Sequence, residues 1–419
     1  MIEYIEKLLN GRSVEWKTLE QTFEIRNGYT PSKSNPDFWE GGSIPWYRME
    51  DLRCNGGLLK DSIQHITLSA IKGKGLFEAG SIIMATTATI GEHALLIADS
   101  LANQQFTNFL IRKSLKNNLL PKYVYYYFFI IDDWCKRNVD VSNFPSVKMG
   151  ELKQQLFPIP PLSVQSEIVR ILDKFTALEA ELEAELECRR KQYGFYRDKL
   201  LSEEYLLTRG KVEWRTLGEV AEFYNGLTGK NTHDFEIGNA RYVPYKNIFD
   251  NIEINESQLE CVTVGVNEKQ NNIQYGDVLF TGSSETPEEV GMSCAVTKHF
   301  AEPIYLNSFS FGIRFHKDIQ IAPAFAKYIF RCTFVRKQII KTANGVTRFN
   351  VSKVKFKRIS IPIPPLEVQR EVVRILDKFD VLTNSISEGL PREIELRRKQ
   401  YEYYRERLLS FDNDNIDIK

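Results

Sequence analysis

The chain has 419 residues, 42% hydrophobic and 26% charged, the composition of a globular protein long enough for two or more domains. Fifty-five Lys and Arg balance fifty-five Asp and Glu, and a neutral total neither favours nor excludes nucleic acid, because a partner responds to local fields. The most apolar run, "YVYYYFFII" from Tyr123, is too short to cross a bilayer. The opening "MIEYIEKLLNGR" is amphipathic and too acidic for a secretory signal, and the six cysteines include no Cys-x-x-Cys pair. The expectation is a soluble cytoplasmic protein with reduced thiols and no membrane association.

In chain order the sequence matches itself. "VEWKTLEQTFEIRNG" from Val14 returns as "VEWRTLGEVAEFYNG" from Val212. "PIPPLSVQSEIVRILDKF" from Pro158 returns as "PIPPLEVQREVVRILDKF" from Pro362. "RRKQYGFYRDKLLS" from Arg189 returns as "RRKQYEYYRERLLS" from Arg397. The segments between agree only in outline. Their β-rich runs ("SIIMATT", "DVLFTG", "FGIRFH") and short helices ("PKYVYYYFF", "PAFAKYIFR") predict two α+β heads. The predicted divisions are a first head over 1–157, a repeated helix over 158–208, a second head over 209–361, a second repeated helix over 362–412 and a tail over 413–419.

Each repeated helix starts after two prolines, which cannot continue a helix backwards. Ile168, Ile171, Phe175, Leu178 and Leu182 form a coiled-coil stripe, matched by Val372, Ile375, Phe379, Leu382 and Ile386. The second copy holds four more residues than the first. That is about one helical turn, a stutter that keeps the stripe on one side. Pro391, following Gly389, predicts a kink or brief break there. Two such helices lying antiparallel would hold the heads apart at a fixed distance. The weak match of Glu6–Arg12 to Glu204–Gly210 places the N-terminus near the end of the second helix, a pseudo-twofold circular arrangement.

The ordered pair "PIPPL…Q…RILDKF…RRKQY…YR…LLS", with its "VEW" openings, resembles the specificity (S) subunit of type I restriction-modification systems across essentially the whole chain. The resemblance implies an α+β fold in which the heads are target recognition domains, each reading half of a bipartite, asymmetric double-stranded DNA target. It implies that the repeated helices set the spacing and dock two modification (M) methyltransferase subunits, with restriction (R) subunits joining the complex. It further implies a reader without catalysis, with S-adenosylmethionine, Mg2+ and ATP on the partner subunits and no cofactor on this chain.

The residues themselves offer little chemistry. "NPDF" at Asn35 lacks the second proline of an adenine-methyltransferase loop and reads as a turn. "GLTGKN" at Gly226 lacks the glycine spacing of a phosphate loop. The five histidines show no metal-ligand spacing. From Arg336 to Arg358, by contrast, there are eight basic residues and no acidic one. Asn344, Thr347, Arg348 and Lys353 are candidate DNA contacts there, with Arg348 able to reach guanine. In the first head the matching loop offers Ser142, Asn143 and Lys148. Further candidates are Tyr29 and Thr30, Thr86 and Thr87, and Ser283 and Ser284, whose polar loops can bond bases or simply cap turns. Arg48 and Lys246 align between the heads and are candidate phosphate contacts. The alternative reading is a two-headed scaffold that binds proteins only.

Overall fold

The protein is described by a computed structural model covering residues 2–73, 75–140, 145–385 and 387–411. It divides into two compact units, one of Met1–Glu181 with Ile394–Lys419 and one of Leu182–Glu393. Each unit therefore holds one head and a stretch of each repeated helix.

The head of the first unit is closed at its base by a two-stranded antiparallel ribbon. Glu15–Thr18 pairs with Leu156–Ile159, Trp16 opposite Pro158. The head of the second unit is closed the same way, Glu213–Thr216 with Ser360–Ile363 and Trp214 opposite Pro362. Thr18 and Thr216 then start short helices with reciprocal capping by Gln21 and Glu219. The prolines at 158 and 362 are thus strand residues of the heads, and the helices begin later, at Leu162 and Leu366. Helix and head boundaries accordingly lie a few residues beyond 158 and 362.

Between the ribbon strands each head is α+β. The first has a mixed five-stranded sheet, with Phe106–Ile111 flanked by Phe23–Asn27 and Ile82–Ala85, and a three-stranded sheet centred on Ile44–Tyr47. The second has a four-stranded sheet around Ser310–Phe315 and Val278–Thr281, and a three-stranded sheet centred on Ala240–Val243. The aromatic helix Pro121–Arg137 covers the first head, burying Tyr123, Tyr126, Tyr127 and Phe128. In the second head two shorter helices, Pro323–Ile329 and Thr333–Ile340, serve this role.

The repeated motif anchors each head to its helix. Gln165 is fully buried. Its amide accepts from Leu120 N at 2.9 Å and donates to the carbonyls of Asn118 and Pro160, both at 2.7 Å. Gln369 does the same with Ala322 N and the carbonyls of Gln320 and Pro364, all at 2.8 Å. The aspartate of each "RILDKF" takes the next anchor. Asp173 accepts from the Tyr126 hydroxyl and the Lys122 ammonium, both at 2.6 Å. Asp377 accepts from Tyr328 at 2.6 Å and from Lys327 at 2.9 Å. Burial, with the facing carboxylate second, pushes both tyrosine hydroxyls well above their usual range.

This packing corrects the expectation that the coiled-coil stripe docks a partner. Ile168 and Val372 are fully buried in the cores of their own heads, with Ile171 and Ile375 packed against the same clusters. Phe175 stacks on Tyr404 in one unit and Phe379 on Tyr196 in the other, at 5.2 and 5.3 Å. Leu178, Leu182 and Leu382 are half-buried; Ile386 lies outside the described residues. Ile168, Ile171, Phe175, Val372, Ile375 and Phe379 are therefore used within this chain, because a helix face that continues a head core gains roughly 1.5–3 kcal/mol per large side chain there.

The first repeated helix runs unbroken from Leu162 to Leu200, 39 residues. The second is interrupted, as Gly389 and Pro391 predict: Leu366–Asn384 has 19 residues and Gly389–Leu409 has 21. The helical residues of the two copies therefore nearly match. The four extra residues fall in the break and do not add a helical turn, which corrects the stutter. Gly389 turns there with φ of 78°, where an added Cβ would lie 2.3 Å from the Val381 carbonyl oxygen. In the first unit Leu8 and Leu9 pack against the cluster that contains Leu408 and Leu409, as the circular arrangement requires.

Replacing Gln369 by Ala leaves the Ala322 N–H and the Gln320 and Pro364 carbonyls without their partner, the last of them buried. The expected loss is about 2–4 kcal/mol, read as a shift in the urea midpoint at constant slope.

Candidate nucleic-acid interface

At one end of each large sheet, four loop segments are tied together by backbone hydrogen bonds. In the first head Gly28 N donates to the Phe106 carbonyl, Thr86 N to Gln105 and Val147 N to Thr86, each at 2.9 Å. In the second head Gly226 N reaches Ser310 at 3.2 Å, Gly282 N reaches Phe309 at 2.8 Å and Val351 N reaches Gly282 at 2.9 Å. The glycines are required by close approach. A Cβ on Gly28 would sit 2.3 Å from the Ala102 carbonyl oxygen, and one on Gly226 would sit 2.0 Å from that of Asn307. The same frame thus presents different side chains in the two heads.

In the second head the frame encloses an open cleft of about 700 Å³. It gathers Ser283 and Ser284 from one segment and Thr347 and Arg348 from another. Arg348 Nε donates to Ser283 Oγ at 3.2 Å, and its guanidinium lies 6.0 Å from the centre of the Phe309 ring. Tyr245, Phe249, Phe309, Glu285 and Glu289 also line the cleft, and none of these five follows from the sequence motifs. Asn344 stands on the adjoining hairpin, its Oδ1 accepting from Lys355 Nζ at 3.2 Å. Lys353 contacts the Asn225 side chain and lies 5.2 Å from the Phe311 ring, and burial lowers its pKa.

The basic run from Arg336 therefore has two parts. Arg336 donates to the carbonyls of Glu288, Val290 and Gly291 at 2.7–2.8 Å. Burial, reinforced by Arg331, lowers its pKa to about 10. It is a structural cation. Arg331 is another: it bonds the carbonyls of Ile248, Phe249, Asn251 and Ser293 and so fixes the helix Tyr245–Asp250 beside the cleft.

The first head's candidates are more committed to the fold than their sequence suggested. Thr86 is buried and its hydroxyl pairs with that of Thr107 at 2.8 Å, so it faces inward. The Tyr29 hydroxyl donates to the Ala70 carbonyl at 3.1 Å and accepts from Lys72 N at 2.7 Å. Thr30 donates to Gln104 Oε1 at 2.5 Å. Thr87 bridges to Ser146 at the hairpin, and Lys148 pairs with Glu151 at 3.4 Å. Ser142 and Asn143 lie outside the described residues.

Arg48 and Lys246 are not equivalent. The strand end Tyr47 matches Val243, since their carbonyls accept from Asn103 N and Asn307 N respectively. Arg48 then corresponds to Pro244, each capping the next helix. The loop before the strand is two residues longer in the first head, which the sequence alignment absorbed in the wrong place. Arg48 pairs with Glu50 at 3.0 Å, and its Nε is buried with no hydrogen-bond partner among the described residues. Lys246 is exposed. Among the described residues no three His, Cys, Asp or Glu side chains assemble as a metal site, and no helix is long and apolar enough to cross a membrane.

A family model described as the type I restriction modification DNA specificity domain matches twice, over residues 12–188 and 210–396. The chain belongs to the specificity subunits of type I restriction-modification systems. It is 36% identical over 404 residues to the type I restriction enzyme EcoprrI specificity subunit of Escherichia coli, covering 92% of each chain. It is 33% identical to the EcoR124I/EcoR124II specificity subunit of the same organism, over 98% of this chain and 97% of that one. A solved structure described as the structural basis underlying complex assembly and conformational transition of the type I R-M system shares the fold with a TM-score of 0.63. It is 16% identical over 96% of this chain and 98% of its own. The specificity subunit described here carries two target recognition domains, and its candidate surfaces are their loop ends.

Substituting Arg336 by Ala should lower the stability of the second recognition domain by about 2–3 kcal/mol in urea unfolding. Lys355→Ala, at a solvated position, should stay within about 0.5 kcal/mol of the parent.

Proposed function

We propose that this specificity subunit reads a bipartite, asymmetric double-stranded DNA target, one half-site per recognition domain. It docks two modification subunits that methylate adenine, and restriction subunits join that complex. It performs no catalytic step itself; S-adenosylmethionine, Mg2+ and ATP are used by the partner subunits. The observation that carries the reading is the loop end built twice on one hydrogen-bonded frame with unlike side chains. Gln104 and Gln105 stand in the first domain where Ser308 and Phe309 stand in the second. One frame with two chemistries suits two different base sequences. The duplicated anchors, Gln165 with Asp173 and Gln369 with Asp377, give two equivalent helix–head junctions and hence two equivalent docking places. Because the inner stripe is occupied by the chain's own cores, docking uses the outward helix faces. The cytoplasm, where the host DNA lies, is the compartment this function needs.

Methylome sequencing of host cells with and without this gene tests the reading. A split motif with methylated adenines and unlike halves should vanish on deletion. A palindromic motif, or an unchanged methylome in cells that express the modification subunit, overturns it. The protein-only scaffold predicts no sequence-selective DNA binding, whereas phosphate contacts give an affinity that falls steeply with salt.

A further inference from the structure

The turn Asn307–Ser310 in the second recognition domain carries a phenylalanine in an unusual setting. Phe309 is 67% exposed, although its neighbours Phe280, Phe311 and Phe356 pack in the core. An isolated exposed apolar side chain is ordinary on a protein surface. This one is held at a fixed place. Asn307 is buried and its Nδ2 donates to the Val243 carbonyl at 3.0 Å. Its Oδ1 accepts from Phe309 N and from Ser310 Oγ, both at 3.0 Å. The Phe309 carbonyl accepts from Gly282 N at 2.8 Å. The backbone on both sides of the ring is thereby pinned.

The surroundings define a partner. Arg348 lies beside the ring, and Lys353 stands on the same domain end. Glu285 and Glu289 line the same cleft, with Glu289 accepting from Thr286 Oγ1 at 2.8 Å. The Arg348 guanidinium near the ring suits a phosphate, while two carboxylates within the cleft repel phosphates and accept from base amino groups. A ring projecting between these is matched to the stacked interior of a duplex and not to its backbone. The matching turn of the first domain carries no aromatic ring at this position. Its equivalent residue, Gln105, is half-buried and accepts from Asn103 Nδ2 at 3.0 Å within its own turn.

We propose that Phe309 is a wedge that inserts between adjacent bases of the second half-site, so that the two domains read DNA by different physics. The first relies on hydrogen bonds from its loops. The second adds unstacking of a base step, which selects deformable steps at positions where no edge is touched. This rests on the proposed DNA-reading function.

The test uses the full chain assembled with its modification subunits. The probes are duplexes of the split motif found by methylome sequencing, with 2-aminopurine placed in turn along each half at every position except the methylated adenines and their immediate neighbours, because a methyltransferase flips its target base out of the stack. The expected result is a fluorescence rise on binding at one step of the second half and none in the first. Phe309→Ala should abolish the rise and weaken binding about tenfold, with the melting temperature unchanged because the side chain is exposed. Phe309→Leu should keep most of the rise. If the parent complex binds its motif with no rise in the second half, or if Phe309→Ala retains the rise, the wedge is refuted while DNA reading stands. If the parent complex does not bind the motif, the DNA-reading function itself fails.

Discussion

The constraint on which each unit depends is the closure of the head at its base. An antiparallel ribbon brings the first and last strands of a head together, and a buried glutamine then ties the loop before the covering helix to the start of the repeated helix. Gln165 and Gln369 each satisfy three backbone groups, one of which, the carbonyl of Pro160 or Pro364, would otherwise be buried unpaired. Leaving a buried polar group unmade costs more than making it gains. The ribbon, the glutamine and the first helical turns are therefore specified together. The aspartate two turns further along, Asp173 or Asp377, repeats the tie from the side through a tyrosine hydroxyl.

With its base closed, a head can vary elsewhere. The covering helix is one 17-residue segment in the first domain and two short helices in the second, yet both bring a tyrosine to the same aspartate. At the opposite end, glycines at 28 and 226 let loop backbones approach carbonyl oxygens that any Cβ would strike. The hydrogen bonds among the loops involve backbone atoms, so side chains can be exchanged without dismantling the frame. Variable recognition on a constant scaffold follows from that division between backbone and side-chain roles.

Several sequence expectations failed for one physical reason: composition does not say which way a side chain points. Arg336 and Arg348 belong to one basic run, but the first is enclosed by carbonyl groups and the second faces a cleft. Thr86 looked like a loop residue open to a partner, and its hydroxyl turns into the sheet. The apolar stripe from Ile168 had the period of a partner-facing coiled coil, but it completes a head core instead. Arg48 and Lys246 lined up only because a loop differs in length by two residues.

What the sequence by itself determined is the duplication: two heads, two helices, the break near Gly389 and the family to which the repeats belong. Those are local or repeated features, and periodicity, Pro–Pro starts and self-alignment report them directly. What only the tertiary structure decided is the composition of the binding surface. The cleft joins the helix at Tyr245, the strand at Ser283, the turn at Phe309 and the hairpin at Arg348, which are up to a hundred residues apart in the chain. Their convergence depends on long-range strand pairing, and no local pattern records which residues such pairing will bring together.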